Sequence, residues 1–208
     1  MKEIKNIIFD LGGVVVDLEI ERGIRAFARI LAHPITDSNE AMTKLRPLMH
    51  AMDVGEMSGK EFVALMKQEC REGTTDQEIV DAFNQIIRLP RHRLEWLARL
   101  KQRYNVFLLS NIGDLHWIET LRQTRELGFD IGDCFHQLFL SYQLRIAKPD
   151  PALYKLLIER TGICPQETLY IDDLPNNITS GRNAGLQAYL ITMNQLDGEI
   201  TKLFPEIL

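Results

Sequence analysis

The chain has 208 residues, of which 45% are hydrophobic, and a formal net charge of −5. This length and composition allow one substantial core and a small second one, and they exclude a largely disordered protein. The modest negative charge and the lack of a long basic run argue against a nucleic-acid-binding protein. An anion would therefore need local help from a metal ion, a lysine or backbone amides.

The three cysteines, Cys70, Cys134 and Cys164, are far apart, and neither they nor the histidines fall at zinc-ligand spacings. We interpret them as reduced structural thiols. The apolar stretch near the start of the chain is ended by Asp10 and is too short for a signal peptide, and no segment reaches membrane-spanning length. The sequence thus predicts a cytoplasmic protein without a membrane partner.

Short apolar runs along the chain predict buried parallel strands, because they are nearly unbroken and rich in β-branched residues. They cover residues 4–9, 106–109, 137–140 (the weakest run), 169–171 and 188–191. Helical patterns lie between them, with apolar residues at Leu94, Leu97 and Leu100, at Leu115, Ile118 and Leu121, and at Leu153, Leu156 and Leu157. This alternation predicts an α/β fold with a doubly wound parallel sheet, in which ligands bind beyond the carboxyl ends of the strands.

The stretch after the first strand interrupts the alternation, because it shows helical patterning and no convincing strand. The pattern is visible, for example, at Phe62, Leu65 and Met66. Residues 18–88 are therefore predicted to form a helical cap domain inserted into an α/β core of residues 1–17 and 89–208. An insertion at this point would overhang the ligand-binding edge, so it could act as a lid that excludes water. A helical layer that packs on the sheet without moving is the alternative.

Polar residues follow the predicted strands at this edge of the sheet. They are Asp10, Gly12 and Gly13 after the first strand, Ser110 and Asn111 after the second, Lys148 after the third, and Asp172, Asp173 and Asn177 after the fourth. Three carboxylates brought together would repel one another without a partner. Oxygen-ligated Mg²⁺ would remove that repulsion, and Lys148 would add positive charge, which together make a site suited to phosphate.

A carboxylate in such a site can attack phosphorus and form an aspartyl-phosphate that water then hydrolyses. Ser110 could donate a hydrogen bond to a phosphate oxygen, the amides of Gly12 and Gly13 could add donors, and the Gly12 carbonyl could bind the metal ion. Each element alone has an ordinary explanation: an aspartate after a strand is often a turn residue, a lysine before proline is commonly exposed, and Asn177 could cap the next helix. Their order on successive strands favours the functional interpretation.

These segments resemble the motifs of the haloacid dehalogenase superfamily over nearly the whole chain. Residues 9–14 (FDLGGV) look like the nucleophile motif, 108–111 (LLSN) like the phosphate-binding motif, 147–151 (AKPDP) like the lysine motif, and 170–173 (YIDD) with Asn177 like the acidic metal motif. Asp17 stands where these proteins often carry an aspartate at the hinge into the cap. Residues 55–58 (GEMS) with Phe62 resemble a cap segment of the sugar-phosphatase branch.

The resemblance implies a Rossmann-like core with a small helical cap, and it assigns roles to the residues at the strand ends. Asp10 would be the nucleophile and Lys148 the catalytic lysine, with Ser110 and Asn111 at the phosphate. Mg²⁺ would be bound by Asp10, Asp173 and the Gly12 carbonyl. Asp172 would bind it through water or orient the site, and Asn177 would support it. The implied function is hydrolysis of a small phosphate monoester, with a sugar phosphate favoured.

Gly12 is a departure from the family pattern, because most phosphatases of the superfamily carry there a second aspartate that acts as general acid and base. Such a group typically contributes about 10² to 10⁴ in rate. The substrate could have an acidic leaving group, such as an anomeric hydroxyl, since the branch resembling glucose-1-phosphate phosphatases shows the same change. Alternatively, the protein has lost turnover and acts as a phosphate-binding regulatory protein.

Removal of halide from small haloacids is a further alternative, in which the aspartate attacks carbon. That reaction does not require a metal ion, so the adjacent acids Asp172 and Asp173 argue against it. The expected partner is a small phosphorylated metabolite, bound by a monomer or homodimer. Candidate cap contacts are Arg22, Arg25, Lys44 and His50, although solvated helix faces explain these residues equally well.

Overall fold

The structure is a computed structural model that describes residues 3–33 and 38–205, with the backbone alone for residues 38–42 and 44. Its strands are β1 (Asn6–Phe9), β2 (Asp17–Leu18), β3 (Ile87–Arg88), β4 (Asn105–Ser110), β5 (Gln137–Leu140), β6 (Thr168–Asp172) and β7 (Gln187–Leu190). Its helices are α1 (Ile20–Ile30), α2 (Ser38–Asp53), α3 (Gly59–Glu69), α4 (Asp76–Asn84), α5 (Arg91–Leu100), α6 (Asp114–Glu126), α7 (Ile131–Cys134), α8 (Ser141–Leu144), α9 (Pro151–Thr161), α10 (Pro175–Asn183) and α11 (Leu196–Leu203), with a 3₁₀ helix at Pro165–Glu167. No helix in this described part of the chain is long and apolar enough to cross a membrane.

A parallel sheet in the order β5–β4–β1–β6–β7 forms the centre of the protein. Phe9 of β1 pairs with Leu108 of β4 on one side and with Ile171 of β6 on the other. The sheet extends from β1 in both directions, which confirms the predicted doubly wound arrangement. All five predicted strands are present; the largest difference is that β1 begins at Asn6 and not at residue 4.

Helices cover both faces of the sheet, so β1 is buried along its whole length. Ile7 and Phe9 pack into an apolar cluster on one face, with residues of α5, α6 and α11. Ile8 packs into a cluster on the other face, with residues of α9 and α10. The run of residues 7–9 is apolar because both faces of the strand are covered, which explains why the sequence pattern located it. The first polar residue after β1, Asp10, therefore lies at the carboxyl edge of the sheet.

The buried face of α6 differs from the predicted one. Ile118 is 60% exposed, and the buried residues are His116, Trp117, Thr120 and Thr124. The threonine hydroxyls can be buried because they donate to backbone carbonyls one turn earlier, Thr120 to His116 at 2.8 Å and Thr124 to Thr120 at 2.8 Å. This face packs against α4 and β3, which belong to the stretch between β2 and α5. Because it contains a histidine and two threonines, the spacing of apolar residues could not predict it.

The helices α1 to α4 pack around an apolar cluster of their own, which includes Phe27, Met52, Phe62 and Phe83. At both ends of this stretch the chain forms a two-stranded antiparallel ribbon, in which Asp17 pairs with Arg88. The strand β3 was not predicted from the sequence, since two residues are too few to show an alternating pattern. The apolar cluster of α1 to α4 and the short ribbon that connects it to the core agree with an inserted domain. The bounds 18–88 of that domain stay a prediction.

Candidate active site

The three predicted acids and the predicted lysine meet at the carboxyl edge of the sheet. One carboxylate oxygen from each of Asp10, Asp172 and Asp173 lies within 4.8 Å of the others. The Nζ atom of Lys148 lies 2.7 Å from Asp10 Oδ1 and 2.7 Å from Asp172 Oδ2. Ser110, which ends β4, is buried at the same edge. Because β1, β4 and β6 are neighbours in a parallel sheet, residues distant in sequence come together here.

Asp172 is the most firmly held of the three acids. It is fully buried, and its Oδ2 accepts hydrogen bonds from Lys148 and from the Tyr170 hydroxyl. Its Oδ1 accepts from the backbone N–H of Leu174 at 2.8 Å, and the Asn177 amide lies 3.0 and 3.1 Å from the two oxygens. A carboxylate with this many donors has little freedom to turn towards a ligand. Asp172 and Asn177 therefore organise the site around Lys148.

The pKa values of Asp10 and Asp173 reflect burial and the negative charge of neighbouring acids. Burial, opposed by the Lys148 ammonium, raises the pKa of Asp10 to about 7. Burial and the charge of Asp172 raise the pKa of Asp173 to about 6. Burial alone would lower the pKa of Lys148, but it lies above its ordinary value because Asp10 and Asp172 flank the ammonium. Three acids facing one ammonium leave an excess of negative charge, which suits a hard divalent cation with oxygen ligands.

The side chain of Asn111 holds the backbone of Lys148. Its Nδ2 donates to the Lys148 carbonyl at 2.8 Å, and its Oδ1 accepts from the Lys148 N–H at 2.8 Å. This pair of hydrogen bonds fixes the lysine beside the end of β4. The sequence does not suggest this contact, because the two residues are 37 positions apart. The predicted contact of Asn111 with phosphate stays a prediction.

The turn after Asp10 requires glycine at one of its two glycine positions. Gly13 has φ +80°, and a Cβ atom there would lie 2.6 Å from Asp173 Oδ2. A side chain at Gly13 would therefore strain the backbone and displace Asp173. A Cβ at Gly12 would meet nothing nearer than the Leu18 side chain at 3.4 Å, which is ordinary contact. The absence of an aspartate at position 12 is thus not imposed by crowding at Cβ.

Arg93 of α5, which was not predicted from the sequence, contacts this turn. It is buried, its Nη1 lies 2.7 Å from Asp17 Oδ1, and it donates to the Val14 carbonyl at 3.0 Å. Its Nε donates to Asp197 of α11 at 2.7 Å. A buried guanidinium satisfied in this way ties the turn and Asp17 to α11. No sequence signal identifies it, because an arginine on an amphipathic helix is ordinarily exposed.

Asp53 is a second residue that the sequence analysis missed. It is the last residue of α2, and it follows Met52, which packs against Gly113, three residues beyond Ser110: a Cβ atom at Gly113 would lie 2.9 Å from Met52 Cβ. Asp53 also lies within electrostatic range of the Lys148 ammonium. Burial, opposed first by Lys148 and then by the Gly113 N–H, raises the pKa of Asp53 to about 7. A partly buried acid from the inserted helices therefore faces the same lysine as Asp10 and Asp172.

The loop of residues 53–59 is held against the core by further contacts. The backbone N–H of Gly59 donates to Asp114 Oδ2 of α6 at 3.0 Å. Gly55 has φ +69°, and a Cβ atom there would lie 2.4 Å from the Tyr142 carbonyl oxygen. This close approach requires glycine. In the sequence, the GEMS segment that contains Gly55 marks this loop as a feature of the cap. It gives no reason to select Asp53, which precedes the segment.

The structure does not place the candidate cap contacts, Arg22, Arg25 and His50, at the cluster of acids. Arg22 and Arg25 line a cavity of about 370 Å³ between α1 and α4, whose lining contains none of the acids described above. Arg22 is paired with Glu19, and His50 is exposed. The side chain of Lys44 lies outside the described part of the structure. A contact of any of them with a ligand stays a prediction.

Comparison with known proteins agrees with the geometry of the site. Residues 4–185 match the model of the haloacid dehalogenase-like hydrolase family. The chain belongs to this family. Among curated relatives of this hydrolase, a D-ribitol-5-phosphate phosphatase of Bacteroides thetaiotaomicron is 29% identical, covering 89% of this chain and 91% of that protein. A phosphorylated carbohydrates phosphatase of Thermotoga maritima is 22% identical, covering 87% of this chain and 82% of that protein.

A solved structure supports the same family assignment. It is a HAD family enzyme of Bacteroides thetaiotaomicron in complex with magnesium and inorganic phosphate, with a TM-score of 0.84 and 30% identity. The match covers 97% of this hydrolase and 99% of that chain. The similarity thus extends over the sheet, the inserted helices and the carboxyl edge, and it confirms the fold that the sequence predicts.

Proposed function

We propose that this hydrolase is a Mg²⁺-dependent phosphatase that cleaves a small phosphate monoester through an aspartyl-phosphate on Asp10. The observation that carries the proposal is the meeting of Asp10, Asp172 and Asp173 around one edge of the sheet, with Lys148 bonded to two of them. The magnesium and phosphate bound by the related enzyme, and the phosphatase names of the curated relatives, support it.

Asp10 and Asp173, with the Gly12 carbonyl, would hold the Mg²⁺ ion. When bound, the ion offsets the repulsion between the attacking carboxylate and the phosphate, which is its general contribution to phosphoryl transfer. Asp172 would remain with Lys148, Tyr170 and Asn177 as the support of the site.

The residues of the chain position and carry out the reaction in two steps. Lys148 and the N–H of Leu11, at 2.7 and 2.6 Å, hold Asp10 through Oδ1, which fixes the direction in which the carboxylate faces. An oxygen of Asp10 attacks phosphorus while the bond to the leaving oxygen breaks and that oxygen takes the electron pair. Water then attacks the phosphorus of the aspartyl-phosphate, and the bond to Asp10 breaks, which restores the carboxylate. Lys148 and Ser110 would contact the phosphate oxygens.

The proposed substrates are sugar or polyol phosphates, because the relatives are named for phosphatases of D-ribitol 5-phosphate and of phosphorylated carbohydrates. Residues 18–88 would form the cap that closes over such a substrate, as the contacts of the loop 53–59 support. The protein would act in the cytoplasm as a monomer or homodimer. Gel filtration and cell fractionation test these last two points.

The proposal is tested by release of inorganic phosphate from a panel of phosphorylated sugars, polyols and p-nitrophenyl phosphate, with Mg²⁺ and with EDTA. We expect turnover of at least one member with Mg²⁺ and its loss with EDTA, restored by added Mg²⁺. Phosphate binding without turnover would instead favour a regulatory protein. Activity that survives chelation would contradict the assignment of the metal site.

A further inference from the structure

The proton needed by the leaving oxygen has no donor at position 12, where this chain carries glycine. The acids of the core are already committed: Asp172 is saturated by hydrogen bonds, and Asp10 and Asp173 are the proposed metal ligands. A primary alkyl alcohol is a poor leaving group without protonation. The related phosphatase for D-ribitol 5-phosphate indicates that substrates of this kind occur among its relatives.

Asp53 lies close to the turn that follows β4. It ends α2 directly after Met52, and a Cβ atom at Gly113, three residues beyond Ser110, would lie only 2.9 Å from Met52 Cβ and 3.5 Å from its backbone carbonyl carbon. The contacts of Gly55 with Tyr142 and of Gly59 with Asp114 hold the loop 53–59 in this place. Asp10 approaches phosphorus from the sheet, so the leaving group of an in-line reaction departs towards these inserted helices.

We propose that Asp53 is the general acid and base of this enzyme and replaces the aspartate that position 12 lacks. The inference rests on the proposed phosphatase function. Its support is the packing of this end of α2 against Gly113, beyond the carboxyl end of β4, together with the closeness of Asp53 to Lys148. A pKa of about 7, raised by burial, leaves a substantial fraction of the carboxyl groups protonated at neutral pH and so able to donate.

The proton transfers balance over the two steps. As the P–O bond breaks, the leaving oxygen takes the bonding electron pair and the proton of the Asp53 carboxyl, and the alcohol departs. Asp53, now a carboxylate, removes a proton from the water that attacks the aspartyl-phosphate. The bond to Asp10 breaks with its electron pair returning to the carboxylate, so both acids end as they began.

The test compares two substrates that differ in the acidity of the leaving group, D-ribitol 5-phosphate and p-nitrophenyl phosphate. Asp53→Asn keeps an oxygen that can accept from Gly113 but cannot donate an acidic proton. We expect kcat/KM for D-ribitol 5-phosphate, which reports the step that forms the aspartyl-phosphate, to fall by about 10² to 10⁴. The kcat/KM for p-nitrophenyl phosphate, whose phenol leaves without a proton, should change little. Glu56→Gln, an exposed acid in the same loop, is the matched control and should change neither value.

Several outcomes would overturn the assignment. An equal loss of kcat/KM on both substrates means that Asp53 only maintains the structure. A loss on D-ribitol 5-phosphate that comes from KM alone means that Asp53 only binds the polyol. A wild type that turns over p-nitrophenyl phosphate but none of the alkyl phosphates in the panel of sugars and polyols has no working proton donor. A wild type inactive on all of them contradicts the phosphatase function itself, which separates the two failures.

A second test uses only the wild type, so it remains possible if the Asp53→Asn variant does not fold. Across a series of substituted phenyl phosphates, protonation by Asp53 predicts that kcat/KM, which reports the step in which the phenol departs, depends weakly on the acidity of the phenol. A steep dependence would show that the leaving oxygen departs unprotonated, and it would rule out the proposed role.

Discussion

The core side and the cap side of the site are built in different ways. On the core side, Asp10, Lys148 and Asp172 are buried and joined by contacts of 2.7 Å. Asp10 follows β1, Asp172 ends β6, and the backbone of Lys148 is held by Asn111 beyond β4. On the other side, the loop 53–59 reaches the core through hydrogen bonds to the start of α6 and a close contact with α8. The core side is thus held by buried ion pairs and a dense set of hydrogen bonds, whereas the loop 53–59 is held by fewer contacts.

The largest expected effect comes from removing the nucleophile on the core side. Asp10→Asn keeps the oxygen that accepts from Leu11 and Lys148, so the fold should persist while phosphatase activity falls by at least about 10⁴-fold. Phosphate release and circular dichroism measure the two properties. Asp81→Asn, at an exposed acid of α4, is the control. Wild-type turnover in Asp10→Asn would show that the nucleophile is wrongly assigned.

Substitutions of the adjacent acids Asp172 and Asp173 should affect two different properties, the stability of the fold and the affinity for Mg²⁺. Asp172→Asn disturbs the buried pair with Lys148, so we expect the free energy of unfolding to fall by about 3 kcal/mol. Asp173→Asn should change it by less than about 1 kcal/mol and weaken Mg²⁺ binding by on the order of tenfold or more. Urea unfolding and calorimetry distinguish these effects, and the reverse pattern would exchange the roles of the two residues.

The glycines of the turn offer a matched pair. Gly13→Ala puts a Cβ into the left-handed region and against Asp173, so a loss of about 2 to 3 kcal/mol in stability and weaker Mg²⁺ binding are expected. Gly12→Asp should change turnover or substrate preference and leave Mg²⁺ binding intact, because its Cβ meets only ordinary contacts. Calorimetry that finds Mg²⁺ affinity lost in Gly12→Asp would contradict the second expectation.

The smallest expected effect concerns the seam between the inserted helices and the core. His116 of α6 stacks on Phe83 of α4 with ring centroids 4.0 Å apart, and burial lowers the pKa of His116 to about 4. Between this value and the ordinary pKa of about 6.5 the unfolded chain binds more protons, so stability falls as pH falls. From pH 7 to pH 5 the histidine should cost about 2 kcal/mol of unfolding free energy.

The measurement is urea unfolding of the wild type and His116→Gln at both pH values. The difference between the two proteins isolates this histidine from the site carboxylates, whose raised pKa values act in the opposite direction. Unfolding free energies that change in parallel with pH would show that His116 is not buried in its neutral form.

The sequence by itself determined the sheet and the core side of the site. The interior of a strand covered on both faces is a run of apolar residues, so the polar residue that follows the run marks its carboxyl end, and Asp10, Ser110 and Asp172 were found in this way. The order of parallel strands then brings these ends to one edge. For this reason the fold, the acid cluster and the position of Lys148 could be predicted from local patterns.

Only the tertiary structure decided which side chains serve the site from a distance. The pairing of Asn111 with Lys148, the burial of Arg93 and the approach of Asp53 to Gly113 depend on how the helices pack, and no local pattern records that packing. The buried face of α6 was mistaken for the same reason, since threonine hydroxyls satisfied by backbone carbonyls can be buried as readily as apolar groups.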